Sequence, residues 1–179
     1  MEATAEAARR FLVARHFLSP ARSLAGGRKA VLEVLRRLGS IQFDPVAVAG
    51  RNHDLMLHAR IDGYEPAWCD ELYARRFLRE HGEPLAYDLV AHKEADLRAK
   101  NVDDAELERT LRLRALLEQE SAHPHRLADL AVDGADLLAL GYSEGPKLGG
   151  VLSELLDEVV DDPSRNRKEW LLDRAKELA

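Results

Sequence analysis

Pro146-Lys147-Leu148-Gly149-Gly150-Val151-Leu152-Ser153-Glu154-Leu155-Leu156-Asp157-Glu158-Val159-Val160 returns its apolar side chains every three or four residues, the period of an amphipathic α-helix. Gly145-Pro146 opens it, with proline at the first helical position, where no amide N–H is needed. Asp161-Asp162-Pro163 stops it. Upstream, a turn over 141–145 joins it to a helix expected over 134–140. Downstream, Asn166 is expected to cap a last helix reaching Leu178. A second helical stretch, 105–120, ends at His123-Pro124-His125, and a short piece follows over 126–130. Everything beyond residue 104 therefore reads as a small helical bundle.

Between 91 and 104 the chain is strongly charged, with Lys93, Glu94, Asp96, Arg98 and Lys100. This is either a connecting helix or a linker, and the domain boundary is placed within it: 1–95 and 96–179. In the first part, Ala7, Phe11, Ala14 and Leu18 form an apolar stripe at helical spacing, ended by Ser19-Pro20. A second helix is expected over 28–38, burying Val31, Leu32, Val34, Leu35 and Leu38, with Gly39 as its stop. Ile41-Gln42-Phe43 alternates as a short strand does. Residues 66–75 read as a short helix, and 77–90, broken by Gly82 and Pro84, as a hairpin. The expected fold is mainly α: a winged-helix domain with a small β-hairpin, followed by the helical bundle.

Cys69 is the only cysteine, so no internal disulfide forms. No run of about 18 apolar residues is present. Met1 to Arg10 lack the apolar centre of a signal peptide. These features imply a cytoplasmic protein with no membrane partner. The net charge of −6 is uneven. Residues 1–100 carry 16 Lys+Arg against 14 Asp+Glu, and residues 101–179 carry 10 against 18. A domain that grips duplex DNA alone shows a basic excess. The +2 half allows only a local basic patch, with Arg28, Lys29, Arg36, Arg37 and Arg51 as its candidates, and the −8 half allows less.

Gln42 and Asp44 stand two apart in an extended segment, so both point to one face, with Phe43 on the other. A glutamine both donates and accepts hydrogen bonds. Beside it, a carboxylate can hold a water and stabilise positive charge, a pairing suited to glycosidic-bond hydrolysis. The same Asp44, ahead of Pro45, is also an ordinary helix cap worth about 1 kcal/mol. Both readings stand on the residues alone.

Leu38-Gly39-Ser40-Ile41-Gln42-Phe43-Asp44-Pro45, then Arg51-Asn52-His53-Asp54-Leu55, then Arg60-Ile61-Asp62-Gly63-Tyr64, resembles the first winged helix of the crosslink-repair DNA glycosylases. The resemblance runs from about residue 8 to 92. It implies hydrolysis of the N-glycosidic bond of N7-alkylated purines, with DNA as partner, Gln42 and Asp44 as catalytic residues, and no metal or cofactor. Arg51, His53 and Arg60 would touch phosphates or the lesion; otherwise they are solvated or helix-surface residues. The further winged helices of that family have no room here, and its tryptophan is absent from Tyr87-Asp88-Leu89-Val90-Ala91-His92.

In the turn at 141–150, Lys147 sits beside the exposed N–H groups of a helix start, an arrangement that can cradle a phosphate. A plain αα-hairpin has the same sequence marks. Asp129 to Leu137, Leu140-Gly141, Gly145-Pro146-Lys147-Leu148-Gly149, Leu155-Leu156 and Pro163 to Asn166 resemble the C-terminal tail of bacterial tRNA nucleotidyltransferases over about 105–178. That tail helps hold tRNA, so tRNA is a second expected partner. The catalytic head has no counterpart, so the chain is not a complete nucleotidyltransferase. His123-Pro124-His125 lacks a third ligand at metal spacing and reads as a loop. Cys69 reads as buried. The sequence points to a nucleic-acid-binding protein of DNA-repair type, with glycosidic hydrolysis as its candidate reaction. The alternatives are a non-catalytic tRNA or DNA adaptor, or a fusion with a purely structural tail. Self-association is compatible with each.

Overall fold

The computed structural model describes residues 4–41, 51–100 and 104–178. It is mainly helical, with eight α-helices among the described residues: α1 (Ala5–Arg15), α2 (Arg28–Leu38), α3 (Asn52–His58), α4 (Pro66–Lys100), α5 (Asp104–Glu120), α6 (Gly134–Ala139), α7 (Pro146–Asp161) and α8 (Lys168–Glu177). None of the described helices is long and apolar enough to cross a membrane. The chain divides into two compact units, Met1–Asp70 and Glu71–Ala179. The boundary expected at 95/96 lies inside α4.

In the first unit, α1 starts where Thr4 accepts from the Ala7 amide at 3.2 Å. α2 stops at Gly39, whose φ of 81° is the left-handed cap that glycine adopts without strain. α2 buries Ala30, Val31, Leu32 and Val34, and Leu57, Ile61, Tyr64 and Cys69 are also buried. The loop after α1 is tied to the chain after α3. The Arg22 amide donates to the Ala59 carbonyl at 3.1 Å, Leu24 to Arg60 at 3.1 Å, and Asp62 back to Leu24 at 2.9 Å. Gly26 is needed there, because a Cβ would lie 2.7 Å from the Asp62 carbonyl oxygen. The parallel bridge between Leu24 and Ile61 is the only extended pairing among the described residues.

The hairpin expected over 77–90 does not form; that stretch is helical. Gly82, at φ 71° and ψ 158°, interrupts α4 in a region essentially restricted to glycine. Pro84 falls two residues later, where the following helical segment starts and no amide hydrogen bond is due. Ala74 and Leu78 before the kink and Ala86 and Val90 after it share one core cluster with Leu117 of α5. Past the kink, Lys93–Glu106 and Arg114–Glu94, each 2.9 Å, join α4 to α5. The charged stretch at 91–100 is thus helix.

The second core gathers Val132, Leu137, Val151, Leu155, Val159, Leu171 and Ala175, one face each of α6, α7 and α8. Asp133 caps α6, accepting from the amides of Ala135 and Asp136, and Asp136 returns the bond to Asp133 as a capping box. Asn166 does not cap the last helix, whose N-cap is Arg167. Its side chain instead donates to the Asp129 carbonyl and accepts from the Ala131 amide, each at 2.8 Å. It pins the 3-10 turn Leu127–Asp129.

Candidate nucleic-acid interface

Gln42 and Asp44 lie outside the described residues. Three of the side chains named with them, Arg51, His53 and Arg60, are built into the first unit. Arg51, at the N-cap of α3, gives its Nε to Asp54 and its Nη1 to Asp70 at 2.7 Å. Burial works against its charge, but the hydrogen bonds it donates to Asp70 and Asp54 outweigh that and hold its pKa above the ordinary guanidinium value. Asp54 also accepts from the Tyr64 hydroxyl at 2.7 Å. Arg60 is buried, giving Nε to the His16 carbonyl at 2.9 Å and Nη1 to the Met56 carbonyl at 2.7 Å. It is a backbone clamp between the α1–α2 loop and α3. His53 is buried as well, and burial, only partly offset by Asp54, pushes its pKa below the usual imidazole value. Cys69 is buried, and desolvation raises its thiol to about 11. It is a packing residue at neutral pH.

The cations of α2 face outward. Arg28 and Lys29 are exposed in its first turn, and Arg36 and Arg37 in its last. Lys29 and Arg36, seven residues apart, share a helix face about 10 Å apart along the axis. The Arg37 guanidinium lies 4.8 Å from the centre of the Phe17 ring. Nearby in the chain, Arg22 Nη2 is 3.1 Å from His58 Nε2.

In the second unit, Gly141 and Gly145, at φ 98° and 140°, shape the turn that presents Lys147 in the first turn of α7. Lys147 is exposed, with Nζ 5.8 Å from the Tyr142 ring centre. Tyr142 is fixed by its hydroxyl, which donates to the Ala175 carbonyl at 2.6 Å. Elsewhere in this unit, cations are matched by carboxylates: Arg165 and Arg174 by Glu158, Lys168 by Asp136, Lys176 by Asp173, Arg126 by Asp129. Lys147 forms no ion pair among the described residues, so its charge stays available in an acidic setting.

Two polar anchors escaped the sequence reading. His125, expected in a plain loop, is buried, with Nδ1 2.8 Å from the His123 carbonyl and Nε2 3.0 Å from Glu83 Oε1. Arg75 and Glu120 form a buried ion pair at 2.8 Å, and Arg75 Nε donates to the Val160 carbonyl. A cavity of about 460 Å³ is lined by Arg76, Arg79, Glu80, Asp157 and Val160. Its two arginines are already held, Arg76 by Asp161 and Arg79 by Asp157 and Ser153. No group of three His, Cys, Asp or Glu among the described residues is arranged to hold a metal ion.

Residues 88–175 match the family model of tRNA nucleotidyltransferase domain 2. The matched segment begins just past the kink of α4 and takes in α5, α6, α7 and most of α8. It includes Tyr142, Lys147 and Asn166. No curated protein and no solved structure matches the chain.

Proposed function

We propose that this chain is a nucleic-acid-binding protein whose C-terminal part contacts tRNA and which does not itself add nucleotides. The observation that carries this reading is the family match over 88–175, with Lys147 exposed at a helix start inside it and in no ion pair among the described residues. The chemistry is modest. A lysine beside exposed N–H groups attracts a phosphate through charge and hydrogen bonds, while the net negative charge of residues 101–179 repels the rest of the polyanion. Affinity is therefore weak and localised. In the first unit, the exposed Arg28, Lys29, Arg36 and Arg37 of α2 add positive charge for phosphate contact.

Titration of labelled tRNA and of labelled duplex DNA with the intact chain tests this. Binding of tRNA is expected to fall with salt, and Lys147→Ala to weaken it several-fold while lowering the log–log salt slope by about 0.7–0.9. Duplex binding should be unchanged by Lys147→Ala. Absence of tRNA binding at low salt, or indifference to Lys147→Ala, would sink the reading.

The motif Gln42-Phe43-Asp44 supports a second reading, hydrolysis of N7-alkylpurine glycosidic bonds. Its test is release of N7-alkylguanine from DNA. Asp44→Asn should lower that release by about 100- to 1,000-fold while leaving the melting temperature unchanged, because Asn caps a helix nearly as well as Asp. No release by the unaltered chain removes this reading and leaves the first intact.

A further inference from the structure

Lys147 is an exposed cation at the start of α7, and Glu144 stands three residues before it in the chain. No ion pair joins the two among the described residues. The Lys147 Nζ instead lies over the ring of Tyr142, 5.8 Å from its centre, within the range where a ring face attracts an ammonium. The two kinds of partner differ in what they leave behind. A carboxylate cancels the charge it binds, as Glu158 does for Arg165 and Asp136 for Lys168. An aromatic ring holds the ammonium through its quadrupole and leaves the whole positive charge to meet an anion. The ring is itself fixed at both ends. The Tyr142 amide donates to the Leu137 carbonyl of α6 at 3.2 Å, and its hydroxyl to the Ala175 carbonyl of α8 at 2.6 Å. Between them the half-buried side chain packs against the core formed by α6, α7 and α8.

We propose that Tyr142 is a positioning residue for Lys147: its ring holds the ammonium at the start of α7, with its charge undiminished, for a tRNA phosphate. This rests on the tRNA reading above. The long lysine side chain loses part of its rotamer freedom against the ring before any ligand arrives, so less is lost on binding. The hydroxyl and the ring of Tyr142 have separate tasks. The hydroxyl ties the turn to α8 and serves the fold. The ring serves Lys147.

Ring-current shifts read the contact directly. In the intact chain the ε-methylene protons of Lys147, assigned by their loss in Lys147→Ala, should resonate upfield of those of an unstacked lysine. The shift should persist in Tyr142→Phe and vanish in Tyr142→Leu. Both variants lose the hydroxyl bond to Ala175, so the difference between them isolates the ring. Titrated with labelled tRNA at a temperature where both are folded, Tyr142→Phe should bind as the original chain does. Tyr142→Leu should bind about two- to fivefold more weakly. In the Lys147→Ala background the two substitutions should give equal affinities, because the ring then has no ammonium to hold. A difference that survives in that background would mean that Tyr142 acts through the fold or stacks on a base, and it overturns the proposal. An unshifted Lys147 signal in the intact chain overturns it too, even if Tyr142→Leu does not fold, and leaves the tRNA reading standing. Absence of tRNA binding despite a shifted signal overturns the tRNA reading, and the positioning role with it.

Discussion

Arg51 and Arg75 are both clamped by carboxylates, yet they sit in different dielectric surroundings. The Arg51 side chain is 34% exposed and its partners Asp54 and Asp70 are 18% and 35% exposed. For Arg75 and Glu120 the figures are 4% and 2%. In the first cluster water still solvates the charges, so the arrangement orients more than it stabilises. In the second, each charge depends on the other, because neither has access to solvent. Arg75 Nη2 is also buried without a hydrogen-bond partner among the described residues. The buried pair is thus the more demanding and the less completely satisfied. A similar ionic contact fixes a loop in one unit and constrains a core in the other.

The largest expected effect falls on the buried pair. Glu120→Ala leaves an uncompensated guanidinium inside and should lower stability by about 3–5 kcal/mol in chemical denaturation. Replacing both partners, Arg75→Met with Glu120→Leu, should recover most of that loss; a double variant as unstable as the single would show that the ion pair itself holds the fold. The Arg51 cluster should respond less. Asp54→Asn keeps an acceptor for Tyr64 but removes the charge facing Arg51, a loss of about 1–2 kcal/mol, and added salt should shrink it. A loss insensitive to salt would mean that Asp54 behaves as a buried group.

The smallest effect is a pH dependence next to that cluster. Burial lowers the His53 pKa below 6.5 in the folded chain, so the unfolded chain binds the proton more readily. The stability that neutral His53 allows is therefore full above about 6.5 and is lost as pH falls through the folded-state value. His53→Gln should flatten that part of the stability–pH curve. An unchanged curve would place the titration at other histidines.

The helices α2, α6 and α7 were legible because their starts and stops are local: Gly39, Asp133 and Gly145-Pro146 act within one turn. The error over 77–90 came from reading Gly82 and Pro84 as turn marks. The spacing Ala74, Leu78, Gly82, Ala86, Val90 steps by four residues throughout, a helical period that stops at Gly82 and resumes just after it. In the candidate interface, Lys147 could be placed at an exposed helix start from its neighbours. Arg51 and Arg60 could not be recognised as internal. Their partners, Asp70 and the His16 carbonyl, lie 19 and 44 residues away, and Asn166 finds its own 35 and 37 residues away. Side chains satisfied at such distances leave no periodic trace.

The joint at Gly82 sets a rule for insertions and deletions. Apolar positions keep step on both sides of it, so their phase depends on the number of residues as well as on their identity. One residue added to the helical segment between Gly82 and Ala86 would rotate Ala86 and Val90 by about 100° about the axis of that segment, away from the side that meets Leu117. Four added residues would leave a turn of only about 40°, at the expense of lengthening the helix by roughly 6 Å. Length variation at this joint should therefore be tolerated in whole helical turns and rejected in single residues.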